Sequence, residues 1–214
     1  MGCGGSKSSA AAYVEEIPAI DLTKLDRFSR FEHSFPFYRM RIDVFEGKVK
    51  RFVINKNSVT LSQLRYAFKD DKNWQDLQTD DSLLVKIITS KYFKDQKNED
   101  ELNIHALIEW GLLLCAGDNK LKARVFYDIL QDNLQPQISA NDKEFPDCFD
   151  KIVELATRLV YEFEPEINSG ESTVNPDKVT DSAIENLRES FLDGVFDAAS
   201  KLSRKEFMDT VSAK

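Results

Sequence analysis

The apolar residues of the chain recur mostly at intervals of three and four positions, which is the spacing of one face of an α-helix. No segment alternates between apolar and polar residues for long enough to form a substantial sheet. The pattern therefore predicts an all-α fold of roughly eight helices. The apolar stripes are Ile42–Val53, Leu61–Phe68, Leu83–Tyr92, Leu107–Cys115, Val125–Leu130, Phe149–Phe163, Ile184–Val195 and Phe207–Val211.

The same pattern divides the chain into four parts. Residues 1–35 are predicted to be a flexible tail, and the folded body is predicted to span residues 36–166. The segment SRFEHSFPFYRM marks its start, because four aromatic side chains in so short a span need packing partners. Residues 167–182 contain NSGESTVNPDK and are predicted to be a linker. Residues 183–214 form the C-terminal unit.

One local pattern occurs four times, as VTLSQL, LNIHAL, ISANDK and LSRKEF. Each copy begins with an aliphatic residue, and the next residue is of a type that caps helix N-termini. Thr60 with Gln63 and Ser203 with Glu206 are predicted to form capping boxes. Each copy lies between two apolar stripes, so the predicted unit is a helix, a loop, one extended aliphatic residue and a capped helix. The aliphatic positions are Val59, Leu102, Ile138 and Leu202.

This layout resembles the EF-hand, and the resemblance covers the chain from about residue 40 to its end. It is most specific in the third unit, KARVFYDILQDNLQPQISANDKEF, and in the fourth, FLDGVFDAASKLSRKEF. The resemblance implies calmodulin-like or calflagin-like helix–loop–helix units that pair through minimal β-bridges at the repeated aliphatic residues. Calcium is the candidate cofactor that the resemblance implies.

The loops depart from the EF-hand motif where a cation would bind. The motif places oxygen ligands at loop positions one, three, five and twelve, with a glycine at position six. The first loop has apolar and basic residues at the first three of these positions, and the third has neutral amides there and a proline in place of the glycine. We therefore expect degenerate hands that persist as packing units and do not bind calcium tightly. The carboxylates that remain at ligand positions are Asp95 and Glu99 in the second loop, Asp142 in the third, and Asp197 and Glu206 in the fourth.

The first ten residues, MGCGGSKSSA, fit the M-G-x-x-x-[ST] pattern of N-myristoylation. Gly2 would carry the myristate, and Cys3 is a candidate for palmitate, the second signal that stable anchoring needs. The alternative is an unmodified Gly/Ser-rich tail. We therefore predict a peripheral lipoprotein at the cytoplasmic face of a plasma, ciliary or flagellar membrane, held to the inner leaflet by its acyl chains.

The composition of the chain argues against several classes of binding partner and site. Of the 214 residues, 29 are Lys or Arg and 37 are Asp or Glu, which gives a formal charge of −8 without a basic stripe. Such a chain is not expected to bind nucleic acid. There is no apolar run of about 18 residues, so we expect no membrane-spanning helix. Three widely spaced cysteines, Cys3, Cys115 and Cys148, predict neither a disulfide framework nor a zinc site.

Three features have two interpretations each. His105 and Cys115 share a predicted helix and would form either a nucleophilic Cys–His pair or a surface imidazole with a core thiol. Trp74 is either an anchor for a partner or a helix-packing aromatic residue. The segment LIEWGLLLC is either a core helix or a groove for an amphipathic partner helix.

The pattern as a whole favours an interaction protein. We expect a membrane-anchored, EF-hand-like signalling adaptor that binds a helix of a partner protein. The alternative is a calcium sensor or buffer of the same fold with one or two noncanonical sites. The chain has no recognisable nucleophile, metal or phosphate motif, so we do not expect an enzyme; that function would require a pocket with a perturbed carboxylate.

Overall fold

The structure is a computed structural model that describes residues 25–52, 57–131, 137–168, 180–197 and 199–213. It is 68% helix and 9% strand, which confirms the all-α expectation at this level. The α-helices are α1 (Arg27–His33), α2 (Ile42–Val49), α3 (Leu61–Phe68), α4 (Leu83–Ile88), α5 (Ile104–Leu114), α6 (Asn119–Leu130), α7 (Glu144–Glu154), α8 (Val160–Ile167), α9 (Asp181–Phe196) and α10 (Arg204–Ser212). The strands are β1 (Ser58–Thr60), β2 (Glu101–Asn103), β3 (Gln137–Ser139) and β4 (Lys201–Ser203).

Each of the eight predicted stripes overlaps an α-helix, and two differences bring the number in the described residues to ten. The first is α1, which lies inside the predicted tail and buries Phe31, so ordered structure begins before residue 36. The second is a π-helical turn, Leu155–Leu159, which separates α7 from α8 within one predicted stripe. Residues 1–24 of the predicted tail and 169–179 of the predicted linker lie outside the described residues.

The four repeated aliphatic residues lie in the middle of the four strands, and the strands pair two by two. β1 is antiparallel to β2, with Val59 opposite Leu102, and β3 is antiparallel to β4, with Ile138 opposite Leu202. All four side chains are buried. The second pairing joins the third unit to the fourth, although the predicted linker separates them in sequence.

The predicted caps form in three of the four units. Thr60 with Gln63 and Ser203 with Glu206 make capping boxes at the starts of α3 and α10. The Asn103 side chain caps α5 by accepting a hydrogen bond from a backbone N–H in its first turn. The strand-to-helix step is therefore specified locally in these units.

The third unit departs from the pattern after its strand. Helix α7 begins at Glu144, four residues later than the repeat predicts, and Ser139 does not cap it. The backbone N–H of Ser139 instead donates to Oδ2 of Asp142 over 2.7 Å. Pro146 explains the delay, because proline fits the first turn of a helix, whereas further inside it clashes with the carbonyl four residues before it.

An aromatic cluster fills the core of the first two units. The ring of Phe37 lies 4.6 Å from Trp110, 4.9 Å from Trp74 and 5.1 Å from Phe45, measured between centroids. The Trp74 ring also lies 4.2 Å from that of Phe68. Trp74 is thus a packing residue, and LIEWGLLLC is a core helix.

A second cluster belongs to the other two units. The ring of Phe126 on α6 lies 5.8 Å from Phe145 on α7 and 5.8 Å from Phe207 on α10. Phe191 on α9 lies 6.0 Å from Phe145. Each pair of units therefore surrounds its own group of aromatic side chains, which stabilises the pair by burial of large apolar area.

Polar contacts fix helix α1 to the end of α8. Arg27 donates to Oε1 of the buried Glu164, and Nδ2 of Asn168 donates to the same oxygen over 2.7 Å. Nη1 of Arg30 donates to Oδ1 of Asn168 over 3.0 Å. These contacts hold helix α1 against α8.

Candidate functional site

The second predicted calcium loop is closed by its own hydrogen bonds. Oδ1 of Asp95 accepts the backbone N–H groups two and three residues further along, over 2.8 and 3.1 Å. The carbonyl of Glu101, at the seventh loop position, accepts the N–H of Asp95 over 2.9 Å. Nζ of Lys94 donates to the carbonyl of Glu99 over 2.5 Å. Oxygens that an EF-hand would offer to a cation are bonded to N–H donors here.

The fourth loop uses its carboxylate as a helix cap. Oε2 of Glu206 accepts the hydroxyl of Ser203 over 2.6 Å and its backbone N–H over 2.8 Å. These two hydrogen bonds lower the pKa of Glu206 because they favour its charged form. Asp197 is exposed at the end of α9.

The first and third loops are described only in part. In the third, Asp142 accepts the Ser139 N–H, as described above. Asn133 and Gln135 of that loop lie outside the described residues, as do Ile54 and Lys56 of the first. Within the described ranges, no three His, Cys, Asp or Glu side chains are placed to hold a metal ion.

The predicted lipidation residues, Gly2 and Cys3, lie outside the described residues. In the part of the chain that the structure does describe, no helix combines the length and the apolar character needed to cross a membrane.

A cleft of about 660 Å³ opens between the N-terminal half of α5 and helix α7. Residues 91–96 and the start of α9 contribute to its walls. Two polar side chains of the lining are deeply buried, Glu109 of α5 at 3% exposure and Cys148 of α7 at 6%. This size is that of pockets which bind small organic molecules.

Burial determines the ionisation of these two groups. It raises the pKa of Glu109 to about 7, although the Cys148 thiol and the Lys151 ammonium act in the opposite direction. Burial and the neighbouring Glu109 raise the pKa of Cys148 far above its usual value. Glu109 therefore changes charge near neutral pH, whereas Cys148 stays a protonated and weakly nucleophilic thiol.

The four cationic side chains of the cleft already have acceptors. Three of them form ion pairs with carboxylates, and the fourth donates to a backbone carbonyl. The contacts are Lys91 to Glu162 (2.9 Å), Lys151 to Glu154 (2.6 Å), Arg158 to Asp181 (2.7 Å) and Lys94 to the carbonyl of Glu99 (2.5 Å).

The structure does not bring His105 and Cys115 together. They lie ten positions apart at opposite ends of α5, which corresponds to about 15 Å along a helix. Cys115 is buried, and burial raises the pKa of its thiol well above the usual value. Cys115 is therefore a core thiol, and His105 lines the cleft instead.

The sequence interpretation did not single out Glu109. One signal was available, because Glu109 is the only charged residue in the apolar run LIEWGLLLC. A carboxylate in such a run is either buried with a partner or faces a cavity. The sequence does not say which, because Cys148 comes from another unit.

Comparison of the chain with protein-family models, with curated proteins and with solved structures finds no match.

Proposed function

We propose that the protein is a membrane-anchored, EF-hand-like signalling adaptor whose loops do not bind calcium tightly. The observation that carries the proposal is the pairing of Val59 with Leu102 and of Ile138 with Leu202. This is the arrangement that the EF-hand resemblance implies for paired hands. The order of a helix, a strand and a capped helix in the first, second and fourth units supports it as well.

The proposed loss of calcium binding rests on the occupied loop oxygens. Asp95, Asp142 and Glu206 each accept at least one backbone N–H, and the carbonyl of Glu101 at the seventh position of the second loop accepts the N–H of Asp95. Calcium needs six to eight oxygen ligands, so these hydrogen bonds compete with a cation in loops that already lack several ligand residues.

The adaptor is proposed to bind an amphipathic helix of another protein. We infer that this helix does not insert between the first two units, because the chain's own Phe35 and Phe37 already pack there against Trp110. We do not propose an enzyme. The perturbed carboxylate Glu109 does lie in a cleft, but its neighbour Cys148 remains protonated and supplies no nucleophile.

Calcium titration of the purified, unlipidated protein tests the first part. We expect neither heat in calorimetry nor a change in the fluorescence of Trp74 and Trp110 up to about 1 mM calcium, the weak end of EF-hand affinity. Micromolar binding would replace the adaptor with the calcium sensor or buffer of the alternative. In that case Asp95→Asn and Asp197→Asn would show which loop binds.

Membrane flotation of the protein expressed in an acylating eukaryotic cell tests the anchor. We expect Gly2→Ala to abolish membrane association, because no acyl chain can then be attached at residue 2. Cys3→Ser should weaken association, because one myristate gives only reversible binding. Flotation of Gly2→Ala with membranes at the wild-type level would show that the anchor assignment is wrong.

A further inference from the structure

Glu109 is a buried carboxylate with little to satisfy it. An ionised carboxylate has about four acceptor sites, and buried charges in proteins are normally paired. A polar neighbour of Glu109 among the described residues is the Cys148 thiol, a weak donor whose interaction lowers the pKa of the carboxyl. None of the ion pairs between described residues includes Glu109.

The cations of the cleft do not fill this role. Lys151 is the one whose charge lowers the pKa of Glu109, and its Nζ is held 2.6 Å from Glu154. The other three have acceptors of their own, as given above. A further cation would therefore find Glu109 available.

The lining as a whole carries an excess of negative charge. It contains six carboxylates and four cationic side chains. Three of the carboxylates, Asp150, Glu154 and Asp181, are held by Arg188, Lys151 and Arg158. Glu109 and Asp147 are in no ion pair within the described part of the chain, so a cation would meet a favourable potential in the cleft.

Apolar side chains lie in the same lining. Ala106, Ile129 and Ile184 belong to the lining of the same cleft. A ligand with one charged end and a short hydrocarbon chain would match both features. A divalent metal ion would not, because the described residues offer no group of three ligands.

We propose that this cleft binds an organic cation, a protonated amine or a guanidinium group on a short aliphatic chain, with the Glu109 carboxylate as its counter-ion. The cation belongs either to a small free amine or to a basic side chain of another protein. The cleft borders the second calcium loop, whose Gln96, Asn103 and Ala106 are part of its lining. Glu109 itself lies beyond that loop, in α5, so its proposed role as counter-ion does not require the loop to bind calcium.

An NMR titration of ¹⁵N-labelled unlipidated protein at pH 8 tests the proposal. The probes are n-butylamine, as a free amine, and N-acetyl-lysine methylamide, as a protein side chain without charged termini. N-acetyl-norleucine methylamide is the matched probe without the charge. We expect saturable shifts of the backbone amides of Glu109 and Cys148 with at least one amine, and none with the norleucine probe.

Two variants locate the charge that matters. Glu109→Gln should weaken amine binding at least tenfold, because an amide of nearly the same shape carries no charge. Glu189→Gln, an exposed position on α9 outside the cleft, should bind as the wild type does. The same spectra show whether each variant is folded.

Every outcome decides the question. Binding of butylamine alone would identify a small amine, and binding of the capped lysine alone would identify a protein side chain. The absence of saturable shifts with either amine would overturn the proposal. So would equal binding of the norleucine probe, or unchanged binding in folded Glu109→Gln.

Discussion

Glu109→Gln tests the electrostatic reasoning about the cleft through protein stability. The pKa of Glu109 is raised by burial from 4.5 to about 7 in the folded state. Between these values the folded protein keeps a proton that the unfolded chain has released. The contribution of Glu109 to the free energy of unfolding is therefore most favourable below pH 4.5 and is lost as the pH rises through 7.

The size of the effect follows from the same shift. One pKa unit corresponds to about 1.4 kcal/mol, so Glu109 should cost the wild type about 2 to 3 kcal/mol of unfolding free energy between pH 5 and pH 8. The glutamine variant carries no titratable group there and should not lose this amount. It should be close to the wild type at pH 5 and more stable at pH 8.

Urea unfolding followed by the fluorescence of Trp74 and Trp110, at pH 5 and at pH 8, measures this difference. Titrating groups that do not interact with Glu109 contribute equally to wild type and variant, so they cancel in the comparison. Glu189→Gln is the matched control and should follow the wild type at both pH values. A Glu109→Gln variant with the same pH dependence as the wild type would refute the assignment of a buried, titrating carboxylate.

Four further substitutions test three other contacts by the same unfolding assay. Arg27→Met should destabilise the protein by about 3 kcal/mol, because it leaves the buried Glu164 carboxylate without its cation, whereas Glu164→Gln should cost less because no charge remains. Gly111→Ala should cost about 1 to 3 kcal/mol, because the added Cβ would lie 2.7 Å from the ring of Phe45 in a packed core. Ser203→Ala should cost about 1 kcal/mol by removing the cap of α10. An unchanged unfolding midpoint in Arg27→Met, Gly111→Ala or Ser203→Ala would contradict the contact that the variant removes or disturbs.

Much of the fold was predictable from short-range patterns. Helical periodicity predicted a helix at each of the eight stripes, because the side chains on one helix face are three and four residues apart. The caps at Thr60, Asn103 and Ser203 followed from residue types next to the helices that they start. Pro146 was a local signal too, and it accounts for the late start of α7, which the repeat alone misplaced.

Helix α1 was not predictable in this way. Its seven residues are too few to form a stable helix alone. It is stabilised by burial of Phe31 and by the contact of Arg27 with Glu164, which is 137 positions away in the chain. Its interaction partner Glu164 lies on α8, far along the chain, so the tail boundary predicted at residue 35 was too late.

The candidate sites, too, were partly predictable from spacing along the chain and partly decided by tertiary packing. The sequence by itself determined the four aliphatic positions and the scarcity of carboxylates in the loops, because both depend on spacing along the chain. Tertiary structure alone decided that Val59 pairs with Leu102 and Ile138 with Leu202. It also decided that Glu109 lies beside Cys148 in a cleft. The reason is physical: burial, and the pKa shift that follows from it, depend on which surfaces meet after the helices have packed.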